Sequence, residues 1–120
     1  TNTPAQYAAL AALTGPQDAV DAMREQYGER RAYLMKVLKE MGFTYGHPGG
    51  AFYIYTNVSR TGMPSPQFCE ELLRQAQVMI FPGSMFGDDS DKYVRISYLQ
   101  PIERIEQAVE RMQAFTRSYT

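Results

Sequence analysis

Tyr93-Val94-Arg95-Ile96-Ser97-Tyr98-Leu99 alternates strictly enough to be a β-strand with two unlike faces. Val94, Ile96 and Tyr98 point one way, and Tyr93, Arg95, Ser97 and Leu99 point the other. An arginine in mid-strand is expensive to bury alone, so it requires negative charge nearby. Just upstream, Val78-Met79-Ile80-Phe81 reads as a second strand, breaking into the glycine-containing loop Pro82-Gly83-Ser84-Met85-Phe86-Gly87. Two neighbouring strands, one ending in an open loop and one presenting a fixed guanidinium, make an anion pocket. The alternative is an arginine that reaches to the sheet edge or pairs with a local aspartate.

Working outward, Gln100-Pro101 leads into a final helix with the stripe Ile102, Ile105, Val109, Met112 and Phe115. Upstream, Ala51–Val58 is the strand richest in aromatic and β-branched residues, with Phe52, Ile54, Thr56 and Val58 on one face. It follows a short strand, Phe43-Thr44-Tyr45, and the turn Gly46-His47-Pro48-Gly49-Gly50, which predicts an antiparallel hairpin. Ser65 reads as the cap of a helix with Pro66 at its first position and Phe68, Leu72, Leu73 and Ala76 on its buried face. The last two strands are expected to pair through a longer loop tipped by Asp88-Asp89-Ser90-Asp91.

The first 42 residues have a different character. Tyr7–Leu13 is apolar nearly all round, which predicts burial on several sides. Without its cover this helix is expected to be disordered, rearranged or packed on a second copy. The pattern also predicts sequence preceding Thr1; the alternative is an alanine-rich end that frays. Gly15-Pro16-Gln17-Asp18 opens a second helix whose stripe is Val20, Met23, Tyr27, Leu34, Val37, Leu38 and Met41, interrupted by Arg30 and Arg31. With Gly42 at its end it spans about 25 residues, or about 40 Å. Such a helix crosses a small domain entirely or joins it to another body.

The predicted fold is α+β: a small antiparallel or mixed sheet of about four strands covered by helices and preceded by the long helix. A chain of 120 residues with 44% hydrophobic and 21% charged residues has the composition of a soluble globular domain. A net charge of −1 gives no electrostatic basis for binding nucleic acid or an anionic membrane. The lone cysteine, Cys69, excludes an internal disulfide, fits a reducing compartment and reads as a packing residue.

Several chemistries fall away. The single histidine, His47, lies in a Gly/Pro turn, and Gly83-Ser84-Met85-Phe86-Gly87 is not a nucleophile elbow. The acidic tip lacks the glycine and distal glutamate of a calcium loop and reads as a solvated turn. No phosphate-binding glycine loop or Cys/His metal set occurs. What survives is the anion pocket around Arg95.

Five motifs then carry a family resemblance. Gln6-Tyr7-Ala8-Ala9-Leu10, Tyr27-Gly28-Glu29-Arg30-Arg31, Pro48-Gly49-Gly50-Ala51-Phe52-Tyr53, Val78–Gly87 and Tyr93-Val94-Arg95-Ile96-Ser97 stand in the order found in the C-terminal part of class I/II aminotransferases. These are fold-type I enzymes that use pyridoxal 5′-phosphate. The resemblance implies that residues 1–14 end a large cofactor-binding domain, 15–42 form the interdomain helix and 43–120 form the small domain. It also implies that Arg95 binds the α-carboxylate of amino acid and 2-oxo acid substrates. A planar guanidinium grips a carboxylate with two parallel hydrogen bonds, which lysine cannot reproduce.

The family's cofactor lysine, in an S-x-x-K motif, has no match here. Lys36, Lys39 and Lys92 are the only lysines, and none follows a serine at that spacing. The resemblance therefore implies no catalytic residue and no cofactor ligand in this chain, which should be inactive alone. It implies a cytoplasmic homodimer for the whole enzyme. A lyase or decarboxylating relative with the same fold, and a free-standing amino-acid-binding module, are the alternatives. Met85, Phe86 and Tyr93 are expected around the substrate side chain.

Overall fold

A computed structural model describes residues 2–87 and 90–119. Helix α1 (Thr3–Thr14) is followed by α2 (Asp18–Glu40), strands β1 (Thr44–Tyr45) and β2 (Tyr53–Asn57), helix α3 (Ser65–Ala76), strands β3 (Phe81–Pro82) and β4 (Tyr93–Ser97), and helix α4 (Ile102–Thr116). The four strands form one antiparallel sheet in the order β1-β2-β4-β3. The fold is α+β, as the sequence predicts.

Alternation sets the two faces of the sheet. Ile54 and Thr56 of β2 and Val94 and Ile96 of β4 are buried. Against them pack Leu34, Val37 and Leu38 of α2, Phe68 and Leu72 of α3, and Ile105, Val109 and Met112 of α4. Each of these three helices contributes one apolar stripe, so helices close one face only. Burying side chains of this size stabilises by about 1.5–3 kcal/mol each. The opposite face carries Tyr53, Tyr55, Tyr93 and Arg95, all half-buried.

Several local expectations are corrected. The cap of α3 is Pro64, and Ser65 lies inside the first turn, fully buried, with its backbone N–H donating to Asp91 O at 2.6 Å. Cys69, not Leu73, completes the buried stripe, because a step of five from Phe68 leaves the helix face. Phe52 is exposed, since β2 begins one residue later. Only Phe81–Pro82 of the third strand pairs, for its partner β4 is reached there and not earlier. Residues 83–86 form a 3₁₀ turn rather than an open loop. In the acidic tip, Ser90 and Asp91 are exposed, whereas Asp88 and Asp89 lie outside the described residues.

The largest difference is at the start. Helix α1 is regular, with the Asn2 side chain capping Ala5 N at 2.8 Å, yet none of its residues is buried. Tyr7 and Leu13 are 70% and 81% exposed, and Val20 and Met23 of α2 are also exposed. The apolar pattern is therefore not covered within this chain, and the expected disorder or rearrangement is not seen. Local capping and alanine-rich propensity hold the helix instead. The projecting helices give a long dimension of 53 Å against 29 and 25 Å.

Candidate functional site

Arg95 occupies the middle of β4, which is paired on both sides. It stands opposite Tyr55 of β2 and Phe81 of β3. Its side chain lies on the sheet face that no core helix covers. There the guanidinium carbon sits 3.6 Å from the centroid of the Phe86 ring and 4.9 Å from that of Tyr53. Tyr53 is the diagonal neighbour that the register provides. Phe86 arrives from the 3₁₀ turn Gly83–Phe86, which Gly87 ends at φ +91°.

Both rings lie within the range at which an aromatic face attracts a cation. The N–H bonds of a guanidinium lie in its plane, so a ring that packs on its face leaves the five donors available. Among the described residues, the ion pairs all lie on the exposed sides of α2 and α3, and none involves Arg95. Asp91 makes no such pair; Asp88 and Asp89 lie outside the described residues. The result is a positioned cation whose hydrogen-bonding edge is unused by described side chains.

The surrounding tyrosines stiffen this face. Tyr55 stacks on Tyr93 with ring centroids 5.8 Å apart and donates its hydroxyl to Gly83 O at 3.1 Å. Of the three residues expected around a substrate side chain, Phe86 lies on Arg95, Tyr93 on Tyr55, and Met85 is 65% exposed.

The arginines that interrupt the α2 stripe tie that helix to two connecting segments of the sheet, one just past β4 and one between β1 and β2. Arg30 donates to Leu99 O at 3.0 Å and lies over the Tyr27 ring. Arg31 donates to Pro48 O at 3.0 Å. Tyr98, packed edge-on against Tyr27, donates its hydroxyl to Ala51 O at 2.8 Å. Burial pushes the Tyr98 hydroxyl pKa up, and the nearby Arg31 charge opposes that. The sequence offered the signal, two arginines within an apolar stripe, but not the carbonyls they reach.

The remaining candidates are ordinary. His47 is exposed, and no group of three potential metal ligands occurs among the described residues. Cys69 is buried, and burial pushes its thiol up to about 12. A groove of ≈ 460 Å³ between Val78–Phe81 and α4 does not include Arg95. No helix among the described residues is long and apolar enough to cross a membrane.

The lysines present offer no buried amine to hold pyridoxal phosphate. Lys36 is exposed and faces Glu40 at 3.9 Å, while Lys39 and Lys92 are also exposed.

Comparison with known proteins adds the family context. Residues 1–112 match the family described as aminotransferase class I and II. The chain is 43% identical over 114 residues to aspartate aminotransferase of Pyrococcus abyssi, covering 93% of this chain and 29% of that protein. It superposes on the aromatic aminotransferase of Pyrococcus horikoshii with TM-score 0.86 and 42% identity, covering 94% of this chain and 31% of that one. For alanine aminotransferase from Pyrococcus furiosus the values are 0.88 and 37%, covering 98% and 30%. The chain thus spans about 30% of the length of the relatives it matches.

Proposed function

Since the chain belongs to the class I and II aminotransferase family, we propose that it is the C-terminal part of a pyridoxal-phosphate-dependent amino acid aminotransferase in which Arg95 binds the substrate α-carboxylate. Residues 1–14 would end the large domain, 15–42 would join the two domains, and 43–120 would form the small domain. The large domain would supply the cofactor and its lysine. The same reading carries amino acid and 2-oxo acid substrates, a homodimeric assembly and a cytoplasmic location. The relatives compared above are aminotransferases rather than lyases, which supports this reaction class.

The observation that carries the Arg95 assignment is its pairing pattern. The guanidinium lies against two rings but has no carboxylate partner among the described residues. A substrate carboxylate satisfies the in-plane donors with two parallel hydrogen bonds. That contact fixes the substrate's orientation, leaving its amino group to the chemistry of the large domain.

The test is Arg95→Lys in the full-length protein, assayed on an amino acid and on the amine that lacks its carboxylate. A charge-assisted hydrogen bond of about 1.5–3 kcal/mol is at stake. The expected loss in kcat/KM is about tenfold to a hundredfold for the acid, with little change for the amine or for thermal unfolding. If Arg95 is instead a structural cation, for example toward Asp88–Asp91, both substrates suffer alike and the melting temperature falls. Equal losses would end the assignment.

A further inference from the structure

Phe86 is 44% exposed, so core burial does not explain why its ring lies on a charged side chain. At 3.6 Å from ring centroid to guanidinium carbon, the contact is far inside the range of about 6 Å over which such pairs attract. We propose that Phe86 is a positioning residue for Arg95, its ring fixing the guanidinium plane so that the N–H edge meets an incoming carboxylate, and that the Tyr55 hydroxyl sets Phe86 through Gly83. This inference rests on the reading that Arg95 binds a carboxylate.

The geometry forms a closed circuit. Tyr55 stands directly opposite Arg95 across the β2–β4 pair. Its hydroxyl holds the carbonyl of Gly83, the first residue of the 3₁₀ turn. In a 3₁₀ helix, residues three apart are eclipsed, so Gly83 and Phe86 lie on the same side of the turn. Fixing Gly83 therefore fixes the direction in which Phe86 leaves the backbone. Phe86 returns to Arg95, where the circuit began.

The chemistry explains why this matters for a carboxylate. Bidentate recognition needs the two planes aligned, and a long side chain on its own samples several orientations. A ring on one face removes the orientations that cross it and leaves the donors untouched. Loss of the ring should weaken binding of the acid without altering later steps, which appears as a higher KM at constant kcat.

The experiment uses the full-length, cofactor-loaded protein with L-aspartate, L-alanine and L-phenylalanine as probes. The amines β-alanine, ethylamine and phenethylamine are their counterparts without the α-carboxylate. For the best acid, Phe86→Leu is expected to raise KM by about threefold to tenfold, with kcat held within about twofold. Phe86→Tyr restores the parent value, because it keeps the ring, and the amine is unaffected. Tyr55→Phe raises KM in the parent background and adds nothing in the Phe86→Leu background.

Unchanged KM in Phe86→Leu, beside a raised KM in Arg95→Lys, overturns the positioning role and leaves the carboxylate reading standing. No effect of Arg95→Lys on the acid overturns that reading and this inference with it. Equal effects of Phe86→Leu on acid and amine identify Phe86 as mere packing. Additive effects of the Tyr55 and Phe86 substitutions break the link through Gly83.

Discussion

The Arg30 guanidinium donates to the backbone carbonyl of Leu99 at 3.0 Å, joining the middle of the longest helix to the segment that leaves the strand carrying Arg95. The same guanidinium lies 5.4 Å from the Tyr27 ring. Replacing it with Met keeps part of the stem but removes the hydrogen bond and the charge. Arg30→Met is expected to lower stability by about 1 kcal/mol, discounted for exposure, as read by chemical denaturation. Hydrogen exchange at Tyr98, whose N–H donates to Phe52 O, should accelerate in the same variant. Unchanged exchange there would show that Arg30 does not secure the strand end.

Gln77 ends α3 in the left-handed region at φ 56° and is exposed. A side chain is disfavoured in that conformation, and glycine adopts it without penalty. Gln77→Gly should therefore stabilise the protein by about 0.5–1 kcal/mol despite the greater freedom of the unfolded glycine. A drop in melting temperature would contradict the cap assignment.

Cys69 gives a prediction in pH. Its thiol pKa rises from 9.0 to about 12 because burial disfavours the thiolate. The unfolded thiol ionises near 9 and the folded one near 12, so the folded state holds the proton more tightly between them. This contribution is fully present below pH 9 and is lost as pH rises toward 12. Cys69→Val should flatten that part of the stability profile relative to the parent. At pH 8 the native thiol should react with a disulfide reagent no faster than the protein opens, and rapid labelling without unfolding would refute its burial.

The lysines predict the behaviour of the chain by itself. Lys36, Lys39 and Lys92 are all exposed. Incubation with pyridoxal phosphate should give no attachment at one specific lysine and no transamination. Peptide mapping after reductive trapping, with an assay on the same sample, checks both. A single labelled lysine together with turnover would defeat the proposal that the cofactor site lies in another domain.

The strands and the stripe of α4 were legible because alternation and helical spacing survive in short windows. Ile54, Thr56, Val94 and Ile96 take the buried face that their spacing assigns. Arg95 stood out because a charge within such a strand conflicts with the local pattern. Its companions did not stand out: Tyr53 meets it only through the β2–β4 register, and Phe86 only through a 3₁₀ turn that the glycines do not specify. The cap of α3 was misplaced because Ser65 spends its backbone N–H on Asp91, a contact made across the fold. Helix α1 was expected to be covered because an apolar surface implies a partner; none of its residues is buried.

The pairing of β2 with β4 joins residues about 40 positions apart, whereas β1 meets β2 through a short connection. Closing the longer loop costs more chain entropy, so the β1–β2 hairpin has the kinetic advantage and the central pair must wait for α3 to be accommodated between them. Arg95, Tyr55 and Tyr53 all lie on that central pair. A nascent or partly unfolded chain would thus possess helices and a hairpin before it possessed an oriented guanidinium. Ligand recognition would appear only with the final collapse, as an all-or-none property of the folded domain.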